Sequence, residues 1–222
     1  NVNTEKNNVL FGKINIILYG SGYIEDDLCG LKFRISPESF YQINNVQTEK
    51  LYNIALDFIS DIVKDKKIEN AIDLYCGIGT ITLLLSKKVE KILGIEIVDT
   101  AVKNAKENAK LNGIKNADFK CMDASGIYSD DEINTNAIKY DLISVDPPRK
   151  GLDIKTINFI KNVKAKYILY ISCDSATLSR DLEILCDSHD LVHYNIEKIK
   201  EQREKRKEIN EYRLTELDIK MN

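Results

Sequence analysis

Five short stretches of the 222-residue chain hold residue types whose spacing could do chemistry. The first is Asp73-Leu74-Tyr75-Cys76-Gly77-Ile78-Gly79-Thr80, where Gly77 and Gly79 let the backbone turn tightly and approach a ligand without an intervening Cβ. About 20 residues further on, Gly94-Ile95-Glu96 supplies a carboxylate where a ribose diol would sit. Thr82 stands where a dinucleotide fingerprint would carry its third glycine, so a nucleoside cofactor without phosphates suits the pair better than a nicotinamide. A plain tight turn followed by an unrelated acid is the alternative. In Cys121-Met122-Asp123-Ala124, Asp123 could accept a hydrogen bond from an adenine amino group or simply cap a helix.

The fourth stretch is Asp146-Pro147-Pro148-Arg149-Lys150-Gly151. Two successive prolines stiffen the backbone and remove two donors, so the loop can present Asp146 and carbonyl groups to a flat base. The fifth is Ser172-Cys173-Asp174-Ser175. A thiol just ahead of a helix N-terminus is favoured as a thiolate by the helix dipole, which makes Cys173 a nucleophile candidate; an inert thiol is the competing reading.

Chemistry at these positions needs a scaffold that gathers them at one edge, and the hydrophobic rhythm supplies it. Ile14–Tyr19 and Leu31–Ser36 read as strands, and Thr48–Val63 carries a helical apolar stripe. From Asn70 onward strands and helices alternate: strands at Asn70–Leu74, Lys91–Ile97, Ala117–Met122, Tyr140–Val145, Lys166–Ser172 and Leu191–Ile199, with helices at Ile81–Ser86, Thr100–Leu111, Ile154–Val163 and Ser175–Cys186 between them. That alternation predicts an α/β fold, a Rossmann-like parallel sheet with helices on both faces. Ligands of such sheets bind beyond the carboxyl ends of the strands, where all five stretches fall. The expected division is a small β-rich segment over residues 1–45 and the parallel-sheet domain over 46–222.

Composition narrows the class without naming a partner. A net charge of −3 carries no global signal for nucleic acid, so any RNA contact must be local. No apolar run approaches the roughly 20 residues a membrane span needs, and the N-terminus lacks a signal-peptide pattern. Cys29, Cys76, Cys121, Cys173 and Cys186 form no CxxC pair, which speaks against a disulfide framework or a metal site and suits a cytoplasmic protein. The chain begins at Asn1 without Met and is expected to be a piece of something longer.

Taken together, the motifs resemble the RNA 5-methyluridine methyltransferases, a bacterial family acting on ribosomal and transfer RNA. The resemblance rests on Phe40-Tyr41-Gln42-Ile43-Asn44, the glycine turn, Gly94-Ile95-Glu96, the proline loop, and Ser172-Cys173-Asp174-Ser175-Ala176-Thr177-Leu178-Ser179-Arg180-Asp181-Leu182. It runs from about Tyr19 to Ile199. It implies S-adenosylmethionine as cofactor, with Gln42, Tyr75, Gly77, Gly79, Glu96, Asp123 and Asp146 in or beside its site. It implies Cys173 as the nucleophile and Gln42, Asp146 and Arg149 on the substrate base. The implied substrate is a uridine in RNA, with ribosomal RNA expected ahead of transfer RNA. No metal and no iron–sulfur cluster is expected in this segment.

Two features depart from the family pattern. The N-terminal RNA-binding β-barrel is missing, so the segment reads as a catalytic piece. After Ile199, Lys200 to Glu208 replaces the element that holds the family's general base, and nothing selects among Glu201, Glu211 and Glu216 as substitutes. The tail from residue 200 to 222 is accordingly expected to pack poorly. The charge run Arg203-Glu204-Lys205-Arg206-Lys207 reads as a solvated helix face. Two other readings stay open: an amino-group methyltransferase with an Asp-Pro-Pro loop, although Arg149 stands where its stacking aromatic belongs, and a non-catalytic RNA- or cofactor-binding remnant.

Overall fold

The computed structural model describes residues 16–129 and 138–185. An antiparallel hairpin comes first, β1 (Ile24–Leu28) and β2 (Leu31–Ile35). Its two-residue turn, Cys29-Gly30, has positive φ at both positions (49° and 74°), the backbone that matches the twist of paired strands. The strand expected at Ile14–Tyr19 is not formed in its described part: Ile16–Tyr19 is exposed and unpaired. β-propensity alone gives a strand no partner, whereas Ile24–Leu28 is brought to β2 by the turn.

The helix α1 (Asn45–Asp65) begins three residues ahead of the apolar stripe because the Asn44 side chain caps it, accepting from Gln47 N at 3.2 Å. Beyond it the chain alternates as expected: β3 (Asn70–Leu74), α2 (Thr80–Leu85), β4 (Lys91–Glu96), α3 (Asp99–Leu111), β5 (Ala117–Cys121), a short 3-10 turn at Ala124–Ser129, β6 (Leu142–Val145), α4 (Ile154–Val163), β7 (Tyr167–Tyr170) and α5 (Ser175–Leu185). The five later strands form one parallel sheet in the order β5-β4-β3-β6-β7. Such strands are covered on both faces, which is why β6 (Leu-Ile-Ser-Val) is wholly buried. Ile72, Leu74, Ile143 and Val145 pack with Ile157, Phe159 and Ile160 of α4. On the opposite face Ala71, Ile92 and Leu142 share a core with Ile59, Leu83 and Ala105. The expected strand Leu191–Ile199, Cys186 and the tail 200–222 lie outside the described residues.

The hairpin is joined to the sheet layer by side chains rather than by strand pairing. On α3, Asn104, Asn108 and Asn112 repeat at one face of the helix, and all three reach β2 or the loop after it. Asn112 accepts from Lys32 N (2.9 Å) and donates to Lys32 O (2.7 Å). Asn108 does the same at Arg34 (2.7 and 3.2 Å) and donates also to Ile78 O (3.2 Å). Asn104 donates to Ser36 and Ser39 Oγ, each at 2.8 Å. Amide side chains thus act as the missing neighbour strand along the free edge of β2, and fix the start of the loop that carries Phe40-Tyr41-Gln42.

Candidate active site

Strand order reverses at β3, which has β4 on one side and β6 on the other. Crevices in open parallel sheets form at the carboxyl ends around such a point. Tyr75 follows β3, Glu96 ends β4, Asp123 follows β5, Asp146 follows β6 and Cys173 follows β7. The sheet therefore collects at one edge five residues spread along the chain from Tyr75 to Cys173.

At the centre the chain turns through Tyr75 (φ 65°), Gly77 (56°) and Gly79 (85°) before α2 begins. A Cβ on Gly79 would meet the Phe119 ring at 3.0 Å and Ala105 at 3.2 Å, so both the conformation and the packing call for glycine. A Cβ on Gly77 would meet nothing, so that glycine answers to backbone geometry alone. The Tyr75 hydroxyl sits 3.3 Å from Thr156 Oγ1, and burial pushes the phenol above its ordinary pKa. Glu96 closes the turn from the other side, accepting from Gly77 N (3.0 Å) and Val98 N (2.9 Å).

Tyr75, Glu96 and Asp123 line one cavity of about 500 Å³, together with Ile97, Met122 and Pro148. That volume is in the range of a small-molecule site, roughly 300–1,000 Å³. Asp123 lines the cavity, and its Oδ1 caps the 3-10 turn by accepting from Ser125 N (2.9 Å). Lys150, Asp153 and Lys155 also reach the wall. Lys150 belongs to the proline-loop stretch; Asp153 and Lys155 were not anticipated from sequence, although Asp153 announces itself as the N-cap of α4, accepting from Lys155 N (2.9 Å) and Thr156 N (3.0 Å).

Asp146 is half-buried, and burial raises its carboxyl to about 6. The charge of Asp146 bears on the buried Tyr52 of α1 and on Asp73 of β3, two polar groups to which the motif reading gave no role. Asp73 is 1 % exposed; its Oδ2 accepts from Thr82 Oγ1 at 2.5 Å, and burial raises it to about 7. Tyr52 could have been noticed only as a polar tip at an apolar position of the helix stripe.

Cys173 is exposed and unpaired. The expected gift of the α5 N-terminus to its sulfur is not what forms. Asp174 takes those donors instead, its Oδ1 accepting from Ala176 N (3.0 Å) and Thr177 N (2.9 Å). These bonds, with a smaller contribution from the nearby Arg149 charge, hold the Asp174 carboxyl below its ordinary value. Arg149 itself is exposed at the tip of the proline loop. Gln42 is not part of the 500 Å³ cavity; it lines a neighbouring broad depression with Tyr41, Ile43 and Thr100.

The family described as tRNA (uracil-5-)-methyltransferase matches residues 15–197. The chain belongs to this family. An uncharacterized RNA methyltransferase of Oceanobacillus iheyensis is 43% identical over 187 residues, covering 84% of this chain and 39% of that protein. One from Clostridium acetobutylicum is 44% identical over 190 residues, with the same coverage of 84% and 39%. Family membership is thus shared along most of this chain, which spans about two-fifths of those relatives' length. Among solved structures, the tRNA (uracil-54, C5)-methyltransferase of Pyrococcus abyssi in complex with S-adenosyl-L-homocysteine aligns with a TM-score of 0.65 at 26% identity, over 85% of this chain and 44% of that one. A Streptococcus mutans protein described as a SAM-dependent methyltransferase shares the fold, with a TM-score of 0.58 at 10% identity. Among the described residues no helix is long and apolar enough to cross a membrane.

Proposed function

We propose that this chain is the catalytic part of an S-adenosylmethionine-dependent methyltransferase acting on carbon 5 of a uridine in RNA. Residues 1–45 then belong to the tail of a preceding β-rich domain and 46–222 to the methyltransferase domain. The observation that carries the reading is the exposed Cys173 thiol just past the carboxyl end of β7, one strand from the half-buried Asp146, at the same sheet edge that holds a cavity suited to a nucleoside.

The cavity fits the cofactor by its chemistry. Glu96 offers carboxylate oxygens to a ribose diol, Ile97 and Met122 offer apolar and polarizable faces to a flat purine, and Asp123 an acceptor for its amino group. S-adenosylmethionine supplies an electrophilic methyl group on a sulfonium.

Carbon 5 of uracil is too weak a nucleophile to take that methyl group unaided. In the proposed reaction the Cys173 thiolate adds to carbon 6, and the electrons of the 5,6 double bond move to carbon 5 and the carbonyl at carbon 4. Carbon 5 then takes the methyl group. A base removes the proton left on carbon 5, the double bond re-forms and the sulfur leaves. Asp146 accepts the N3–H of the ring, and Arg149 and Gln42 orient it. Stiff prolines at Pro147 and Pro148 keep the Asp146 loop from relaxing away from the ring.

The test is to incubate the protein and S-adenosylmethionine with ribosomal or transfer RNA transcripts in which uridine is replaced by 5-fluorouridine. Fluorine cannot leave carbon 5 as a proton does, so a reacting enzyme stays bound to its RNA through sulfur. A denaturant-stable adduct that disappears in Cys173→Ala is the expected result, with ribosomal RNA the proposed substrate. Methylation without any such adduct would overturn the covalent route.

A further inference from the structure

Asp181 is a charged residue with 0% exposure in the middle of α5, and the reaction outlined above gives it no task. An ionised carboxylate taken out of water costs several kcal/mol unless its lone pairs are filled. Here they are filled from three directions. Oδ2 accepts from Leu152 N and from the Tyr170 hydroxyl, both at 2.7 Å. Oδ1 accepts from Arg180 Nε (2.8 Å) and Nη2 (2.5 Å).

Two of these donors, Leu152 and Tyr170, belong to the segments that carry the reacting groups. Leu152 ends the proline loop, whose turn closes through Gly151 N donating to Pro148 O at 2.8 Å and so holds Arg149 and Lys150 at its tip. Tyr170 is the last residue of β7, three positions before Cys173. Arg180 adds a second hold on the loop, donating from Nη2 to Lys150 O (2.9 Å) and Leu152 O (3.4 Å). The fit is close. Gly151 has φ 76°, and a Cβ there would meet Arg180 Nη2 and Asp181 Oδ2, each at 2.5 Å.

We propose that Asp181, with Arg180, is a positioning residue that ties the Asp146–Gly151 loop to the β7–α5 connection and so sets where Asp146 and Arg149 stand relative to the Cys173 sulfur. The inference rests on the reading of Cys173 as the nucleophile. It differs from a purely structural role, because the bonds span the two loops rather than the core behind them. A displacement of about 1 Å between reacting groups is worth on the order of 100-fold in rate.

The test measures the rate of adduct formation on 5-fluorouridine RNA at saturating RNA, alongside the affinity for S-adenosyl-L-homocysteine and the melting temperature. Asp181→Asn keeps the size and removes the charge, and is expected to slow adduct formation about 100-fold. Because a buried carboxylate variant can fail to fold, Tyr170→Phe and Arg180→Lys are made beside it. Tyr170→Phe removes one bond, and Arg180→Lys alters a half-exposed side chain. Each is expected to slow the reaction roughly tenfold, with S-adenosyl-L-homocysteine affinity within about twofold of wild type. Wild-type rates in both variants would overturn the proposal, as would losses in which rate, affinity and melting temperature fall together. A wild-type protein that forms no Cys173-dependent adduct sinks the nucleophile reading and this role with it, an outcome separate from unchanged variants.

Discussion

Asn108 offers the sharpest test of how the hairpin is held. It is fully buried on α3, and replacing it with alanine deletes three hydrogen bonds, to Arg34 N, Arg34 O and Ile78 O. A typical bond of this kind contributes about 1 kcal/mol net, and each buried backbone group left without a partner costs about 1–3 kcal/mol. Asn108→Ala is therefore expected to lose about 3 kcal/mol. Asn112→Ala, whose bonds to Lys32 are exposed, leaves groups that water can reach and should lose less than about 1 kcal/mol. Urea denaturation measures both, with unchanged m-values licensing the comparison. Asn108→Asp adds a pH signature. It would keep the acceptor for Arg34 N but turn an oxygen toward two carbonyls, raising that carboxyl above its unfolded value of about 3.9. A raised acid binds more protons folded than unfolded, so this variant's stability should be greatest below about pH 4 and decline as pH rises. Equal losses for Asn108→Ala and Asn112→Ala, or no pH slope in Asn108→Asp, would refute the surrogate-strand reasoning.

Three further outcomes follow from the sheet and its edge. Gly94→Ala puts a Cβ 2.7 Å from Phe119 Cδ1 and 2.9 Å from Cys76 Sγ, so calorimetry should show a loss of about 1–3 kcal/mol that Phe119→Leu in the same chain partly relieves. If Glu96 accepts from a ribose diol as proposed, Glu96→Gln weakens that acceptor by about 1.5–3 kcal/mol, and titration calorimetry should find S-adenosyl-L-homocysteine bound roughly 10- to 100-fold less tightly. Asp73, raised by burial from 3.8 to about 7, binds more protons folded than unfolded between those values. Its contribution to stability is thus complete at low pH and declines as pH climbs toward 7; Asp73→Asn should flatten that slope in denaturation curves taken from pH 4 to 8.

The strand–helix alternation was legible because each parallel strand is an apolar run closed by a turn, and the motif residues follow directly since strand ends and ligand edges coincide. Tyr75, Glu96, Asp123, Asp146 and Cys173 could be placed at one edge from spacing alone. β1 could not, because Ile-Glu-Asp-Asp-Leu shows no alternation: only Leu28 is buried, and the strand exists through its turn and partner. Ile16–Tyr19 misled for the complementary reason, having the residue types of a strand and no pairing neighbour among the described residues.

What the sequence concealed is polar groups doing what backbone or apolar groups usually do. Asn104, Asn108 and Asn112 read as the hydrophilic part of an Ala-, Asn- and Lys-rich helix, yet they stand in for a strand edge, and their four-residue spacing makes sense only once β2 lies beside α3. Asp181 stands in the Ser172–Leu182 stretch with no role assigned and is enclosed between Leu152, Tyr170 and Arg180. The same logic applies to Asp174: the position of Cys173 ahead of a helix suggested that the helix amides would serve the sulfur, but a carboxylate one residue closer to the helix takes them. The asparagines and Asp181 meet partners far along the chain as well as close by, and Asp174 meets the amides of its own helix. Periodicity and motif spacing register which residues share a face; they carry no signal for which buried donors a given carboxylate or amide will meet.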